Sequence, residues 1–240
     1  MRLFGELGAT WLDVLALLAF LAGWIGYAAF AARHERVVPS LHNRMDRYRR
    51  EWMVRMIERE NRMVDVGVVR MLARSSQFFA STTMLVLGAL IALTGYIQQA
   101  LDVVSGLPFT VKGSARLLEV KIMLLVVIFT YAFFKFSWAM RQLGQGATLI
   151  GAAPAKPTGS VEQYAPIINR IARIASYAGN NFNNGLRAYY FGLAALAWFL
   201  HPWLMIVATA WVISVLYARE FRSKTLQALL EEDSADQLRT

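Results

Sequence analysis

The polar residues that could do chemistry in this chain are few, and they lie beside or within long apolar runs. Residues 180–185 read Asn-Asn-Phe-Asn-Asn-Gly, an unusual concentration of amides. Polar and ionisable side chains in apolar segments are costly to bury in hydrocarbon, and they commonly mark pathways for ions or substrates. We therefore predict a polar pathway formed by Asn180, Asn181, Asn183, Asn184, Arg187, Glu119, Lys135 and His201.

Each part of this pathway also has a simpler interpretation. Asn and Gly tolerate left-handed backbone, so 180–185 is also typical of a helix C-cap and turn. Glu119 and Lys135 lie near the two ends of one apolar run, where long side chains reach the polar boundary and pair with neighbours. Both interpretations remain open from the sequence.

Residues for catalysis or metal binding are scarce. The chain has no Cys and only three His residues, none of them four positions from another, which disfavours zinc and bis-histidine haem sites. No nucleotide-binding glycine loop or nucleophile elbow is present. Glu58, Glu60 and Asp65 are better explained as a solvated, salt-bridged helix face than as metal ligands. The sequence predicts no catalytic residue, no cofactor and no metal, and it favours a non-enzymatic protein.

The composition indicates a membrane protein. Apolar residues make up 57% of the 240 residues and charged residues 17%, whereas soluble domains are about 45–50% apolar and about 25% charged. The predicted fold is all-α: a polytopic integral membrane helical bundle over residues 1–225, followed by a tail at 226–240. The predicted membrane helices cover about 12–32, 78–97, 117–140, 186–200 and 203–218.

The number of crossings depends on the last apolar run, 186–217. Its length exceeds the ~20 residues that one crossing needs, and His201-Pro202 lies near its middle. It is therefore either one kinked helix or two helices that turn at Pro202. Five crossings with the N-terminus outside place 21 of the 25 Lys and Arg residues on the cytoplasmic side, in agreement with the positive-inside rule. Four crossings remain the alternative.

Two amphipathic helices are predicted on the cytoplasmic side, at about 40–75 and 160–178, with an irregular linker at 141–160. The first is rich in arginine, and its apolar residues repeat with helical spacing. It either rests on anionic lipid headgroups or packs against a partner protein. Acidic residues are interleaved with the arginines, so nucleic acid is not a predicted partner.

Three stretches of sequence resemble a known family. They are Glu119-x-Lys121 with Ile128-Phe129-x-Tyr131-Ala132-Phe133-Phe134-Lys135-Phe136-x-Trp138 and Arg141-Gln142; Arg74-Ser75-x-Gln77-Phe78-Phe79-Ala80-Ser81-Thr82-Thr83; and Asn184-Gly185-Leu186-Arg187-Ala188-Tyr189-Tyr190-Phe191, continuing to Trp198-Phe199-x-His201-Pro202 and Tyr217-x-Arg219-Glu220-Phe221. Over about residues 12–225 the chain resembles a bacterial inner-membrane family known as domain of unknown function 599. The resemblance implies a polytopic inner-membrane protein and carries no activity or ligand.

The leading functional hypothesis is a small oligomeric channel or transport-related subunit of the bacterial inner membrane, with residues 33–75 in the cytoplasm. Its predicted partners are the lipid bilayer and further copies of the same chain, and another membrane protein is a candidate partner. The first alternative is an assembly or accessory protein that docks partners through the arginine-rich helix. The second is a membrane enzyme acting on lipids, with Glu119, Arg187 or His201 as its reactive groups. The sequence identifies no substrate.

Overall fold

The structure is a computed structural model that describes residues 9–35, 38, 40–106, 114–154 and 160–237. These residues form helices joined by short turns, and no strand occurs among them. The helices are α1 (Trp11–His34), α2 (Leu41–Glu58), α3 (Met63–Thr94), α4 (Ile97–Ser105), α5 (Ala115–Ala152), α6 (Ala165–Leu196), α7 (Pro202–Phe221) and α8 (Lys224–Gln237). Short 3-10 helices precede α6 (Val161–Tyr164) and follow it (Ala197–Phe199).

Four segments are long and apolar enough to cross a membrane: α1, α3, α5 and Pro202–Leu230. The prediction of an all-α, polytopic membrane bundle is confirmed. With 32 and 38 residues, α3 and α5 exceed the ~20 residues that a hydrocarbon core requires. Each of these two helices is therefore several turns longer than a single crossing requires.

The chain divides into two compact units, and α3, α5, α6 and α7 contribute to both. Unit 1 comprises Met1–His34, Thr82–Phe133 and Leu186–Ala218. Unit 2 comprises Glu35–Ser81, Phe134–Gly185 and Arg219–Thr240.

In unit 1 the last two long helices form an antiparallel hairpin. Near the start of α1, Asp13 bonds to Trp198, and further along α1, Phe20 contacts Phe191, so α6 runs antiparallel to α1. Gly23 instead lies against Thr209, and Phe30 against Tyr217, so α7 runs parallel to α1. The chain therefore reverses direction between α6 and α7.

This reversal decides between the two interpretations of residues 186–217. Pro202 is the first residue of α7, a position where its fixed φ suits the helix and its missing N–H costs nothing. His201 caps the same end, since its Nδ1 accepts a hydrogen bond from the Trp203 N–H at 3.2 Å. The segment is a turn between two helices, and a single kinked helix is excluded.

Unit 2 has its own apolar core, to which α2, α3, α5 and α6 contribute. Met53, Met56 and Ile57 of α2 are almost completely buried in it. Much of the apolar stripe of the arginine-rich helix is thus covered by its own chain.

The predicted helix at 40–75 is wrong, because α2 ends at Glu58 and α3 begins at Met63. Arg59 has an extended backbone (φ −81°, ψ 131°). Asn61 then accepts a hydrogen bond from the Met63 N–H at 2.9 Å. Arg62 donates to the carbonyl oxygens of Ile150 and Ala153, at 3.2 and 2.8 Å. The Arg62 guanidinium thus satisfies carbonyl groups at the C-terminus of α5 that have no partner within the helix. These hydrogen bonds compensate for the backbone hydrogen bonds that are lost between α2 and α3.

Two other predicted boundaries differ from the structure. Residues 141–152, predicted as linker, continue α5. The predicted helices at 160–178 and 186–200 lie mostly in the single helix α6, with their outer ends in the two 3-10 helices. Glycine disfavours a helix by only ~1 kcal/mol per residue. Burial of Leu143 and Ile150 in the core of unit 2 offsets that cost. The predicted tail at 226–240 also begins as helix, within α8.

Candidate functional site: a polar network beside a cavity in unit 2

Helix α6 runs without interruption through the asparagine cluster, so the interpretation of 180–185 as a C-cap and turn is wrong. Gly185 serves close packing instead of a turn. A Cβ on Gly185 would lie 2.6 Å from the ring of Phe136, a residue with no exposed surface. That ring stacks on Phe79 at 5.1 Å between centroids. The glycine therefore lets α5 and α6 approach closely beside the amides.

Asn181 is the centre of a hydrogen-bond network between α5 and α6. Its Oδ1 accepts a hydrogen bond from Lys135 Nζ at 3.3 Å. Its Nδ2 donates to Gln142 Oε1 at 2.9 Å and to the Tyr177 carbonyl at 3.0 Å. The Lys135 ammonium and the Gln142 amide lie two helical turns apart on α5, and Asn181 forms a hydrogen bond with each of them.

The Gln142 side chain also forms part of the wall of a cavity of about 420 Å³. Four helices of unit 2 line this cavity. Its apolar wall includes Met53, Val69, Leu72, Leu143, Ile150 and Ile171, and its polar wall includes Arg49, Ser75, Ser76, Gln142 and Asn183. Small-molecule sites are typically ~300–1,000 Å³ in volume and combine apolar walls with a few polar groups. This cavity fits that description.

Arg49 holds a defined position in the wall. Its guanidinium lies on the backbone of α6 at Gly179, where an added Cβ would be 2.6 Å from Nη2. Its Nη1 donates to Asp46 Oδ1 at 2.5 Å. An arginine has five N–H donors in a planar fork, so this contact leaves donors for a ligand.

The structure distributes the eight predicted pathway residues over both units. Lys135 and Asn181 join one network, and Asn183 lines the cavity. Asn180 and Asn184 are half-buried on the same helix, and neither is among the cavity-lining residues.

The three remaining residues belong to unit 1. Arg187 lies over the ring of Tyr27 at 5.8 Å, His201 caps α7, and Glu119 is exposed.

Sequence reasoning missed a polar cluster in unit 1. Asp13 is 4% exposed and accepts hydrogen bonds from the Thr10 N–H at 2.9 Å and from Trp198 Nε1 at 2.9 Å. Lys121 Nζ donates to the Trp198 carbonyl at 2.8 Å. The signal in the sequence was Thr10-x-x-Asp13, a capping pattern at the start of an apolar run. The cluster ties α1 and α5 to the turn after α6.

Sequence reasoning also misplaced Asp65, which has no exposed surface instead of lying on a solvated face. It accepts hydrogen bonds from Trp52 Nε1 at 2.6 Å and Arg59 Nη1 at 2.7 Å. Within the described part of the chain, no group of three or more His, Asp and Glu residues is placed to hold a metal ion.

Comparison with known proteins gives a family and no activity. A search of curated proteins finds no match, and neither does a search of solved structures. A family model described as "Protein of unknown function, DUF599" matches residues 15–225, which is most of the chain. The chain therefore belongs to the DUF599 family of proteins of unknown function.

Proposed function

We propose that this protein is a transport-related protein of the bacterial inner membrane, and that it holds a small solute in the cavity of unit 2. The observation that carries the proposal is the network Lys135–Asn181–Gln142, which ends at the cavity wall. Two of the helices concerned, α3 and α5, are also candidate membrane spans. The cavity lies on the parts of these two helices just outside the predicted crossings, at 68–76 and 142–150. A solute site next to the membrane is an arrangement that suits transport.

The polar groups support a binding role better than a purely structural one. Lys135, Asn181 and Gln142 hold one another in fixed positions, and fixed amides can recognise a solute without first being ordered. Polar side chains on membrane helices mark solute pathways when they face a cavity. Gln142 and Asn183 face the cavity, at positions next to the predicted crossings at 117–140 and 186–200.

The proposal is tested with the full chain in liposomes loaded with a defined mixture of ions and small metabolites. We expect wild-type protein to deplete a specific subset of the mixture, as measured by mass spectrometry of the retained solutes. Asn181→Leu should abolish the depletion because it removes all three hydrogen bonds of the network. Asn180→Leu, one residue away and outside the network, is the matched control. Retention identical to that of protein-free liposomes contradicts transport.

The proposal includes assembly into a homo-oligomer. Gly26 and Gly88 both lie in candidate membrane spans. Outside its own helix backbone, no described residue comes within 4 Å of where a Cβ would be on either glycine. Exposed small residues let membrane helices approach one another closely. Gly88→Ile should therefore reduce the oligomer, as measured by light scattering in mild detergent. Gly67→Ile is the control, since Gly67 is equally open on the same helix but precedes the apolar stretch. A monomeric wild type contradicts assembly.

Docking of a partner protein through α2 has less support. Its central apolar residues Met53, Met56 and Ile57 already pack inside unit 2.

A further inference from the structure

We infer that the cavity of unit 2 binds a single-chain anionic amphiphile, such as a medium- or long-chain fatty carboxylate. The alkyl chain lies along the apolar end of the cavity, and the carboxylate meets Arg49 at the polar end. The inference takes the cavity from the proposed function and adds its ligand class. Binding and flux are separate measurements, so each idea can fail alone.

The cavity changes from apolar to polar along its length. On α5 the wall passes from Ile150 through Gly146 to Gln142, and on α6 from Ile171 to Asn183. These two helices run antiparallel, since a Cβ on Gly146 would lie 3.8 Å from Ile174, and Asn181 donates a hydrogen bond to Gln142. Both helices therefore place their polar residues at the same end. The 12 helical steps from Ile171 to Asn183 span ~18 Å of helix.

Helix α2 follows the same gradient. Met53 lines the cavity and belongs to the apolar core, whereas Arg49, one turn earlier, lies against Gly179 towards the amides. Met45, one further turn earlier, also lines the cavity, so the polar end has an apolar side chain beside Arg49. An elongated site with apolar walls and one polar end matches a molecule with an alkyl chain and one head group. Each buried methylene strengthens such binding about fourfold.

The charge at the polar end favours an acidic head group. Among the described residues that line the cavity, Arg49 is the one with a positive charge. Its guanidinium can hold a carboxylate with two parallel hydrogen bonds. Asp46 already takes one donor, so the ligand shares Arg49 with it, and the head group should contribute a moderate part of the affinity.

Two glycines that line the cavity, Gly146 and Gly179, can be substituted to test the inference. A Cβ at Gly146 would meet only Ile174, at 3.8 Å, so the position has room for a side chain, and Gly146→Leu adds one to the cavity wall. A Cβ at Gly179 would collide with the end of the flexible Arg49 side chain, so Gly179→Ala displaces the guanidinium at little cost to the fold. Arg55→Ala removes the same charge from the exposed side of α2 and is the matched control.

The experiment measures equilibrium binding of radiolabelled dodecanoate to the full chain in lipid nanodiscs, with empty nanodiscs as the baseline for partitioning. We expect a saturable component of about one site per chain, and Gly146→Leu should abolish it. Arg49→Ala and Gly179→Ala should each weaken dodecanoate binding about tenfold. Neither should change the binding of dodecanol, and Arg55→Ala should leave both ligands unaffected.

Three results overturn the inference: no saturable dodecanoate binding by folded wild-type protein, unchanged binding by Gly146→Leu, or equal affinity of the wild type for dodecanol and dodecanoate. The last result would leave a site for a neutral amphiphile. Flux of other solutes without dodecanoate binding refutes this inference alone, whereas dodecanoate binding without any flux refutes the proposed transport alone.

Discussion

At the scale of single residues, two buried carboxylates, Asp65 and Asp13, hold separate segments of the chain together through hydrogen bonds. Asp65 has no exposed surface and joins Trp52 of α2 to Arg59 of the following turn. Asp13 does the same in unit 1, where it joins Thr10 to Trp198. Hydrogen bonds offset part of the cost of burying a carboxylate, so each of these groups fixes the position of its partners. Asp65 makes both of its bonds through Oδ1, and its buried Oδ2 has no partner among the described residues.

Replacing Asp65 tests this role. Asp65→Ala leaves Trp52 and Arg59 without their acceptor and should lower the free energy of unfolding by about 2–3 kcal/mol. The measurement is reversible unfolding in mild detergent. Glu51→Ala is the control, because its ion pair with Arg55 lies on the exposed side of α2, and we expect a loss below ~1 kcal/mol. Equal losses from both variants contradict a special role for Asp65.

At the scale of elements, the close approach of α5 and α6 depends on where glycine occurs. Gly185 lies against the buried ring of Phe136, whereas Gly144 on α5 has open space around it. The two glycines have the same helix propensity, but only Gly185 lies where a larger side chain would collide. Their substitution by alanine therefore separates the two effects.

Gly185→Ala should destabilise the protein by about 1–3 kcal/mol, because the ring of Phe136 must move out of a filled core. Gly144→Ala should instead stabilise it by about 0.5–1 kcal/mol, since the helix gains propensity and nothing collides. Thermal unfolding of the two variants in the same detergent provides the comparison. A stabilised Gly185→Ala variant would mean that α5 and α6 do not approach as closely as the structure has them.

At the scale of the whole molecule, the question is how the helices are oriented in the bilayer. We propose five crossings with the N-terminus outside. The antiparallel hairpin of α6 and α7 supports this, although α6 is not among the four helices that meet the requirements of length and composition. The distribution of Lys and Arg supports it as well.

The absence of Cys from the sequence allows a direct test with single introduced cysteines. In intact cells, an impermeant thiol reagent should label Gln98→Cys between the second and third spans. It should label Glu60→Cys and Gln227→Cys only after the membrane is permeabilised. All three positions are exposed, so access is limited by the membrane alone. Labelling of Gln227→Cys in intact cells would contradict five crossings and favour four.

The sequence by itself determined the fold class, the location of the apolar helices and the family. These depend on local composition: an apolar run of about 20 residues must be helical in hydrocarbon, because its backbone groups have no other partners. It also identified Asn181 and Lys135 as unusual polar residues. What it left undecided was the hairpin at Pro202, since proline there permits both a kink and a turn.

Only the tertiary structure decided where helices end and which polar residues meet. Helix propensities differ by less than ~1 kcal/mol among most residues. Burial of Ile150 outweighs the low helix propensity of 141–152 and keeps that segment helical. At 59–62 the hydrogen bonds of Arg62 outweigh helix propensity, and the helix ends there. The cavity, the Gln142–Asn181 contact and the Asp13–Trp198 contact join residues that are distant in sequence. No periodicity in the sequence encodes such pairs, because they arise when separate helices pack and satisfy one another's polar groups.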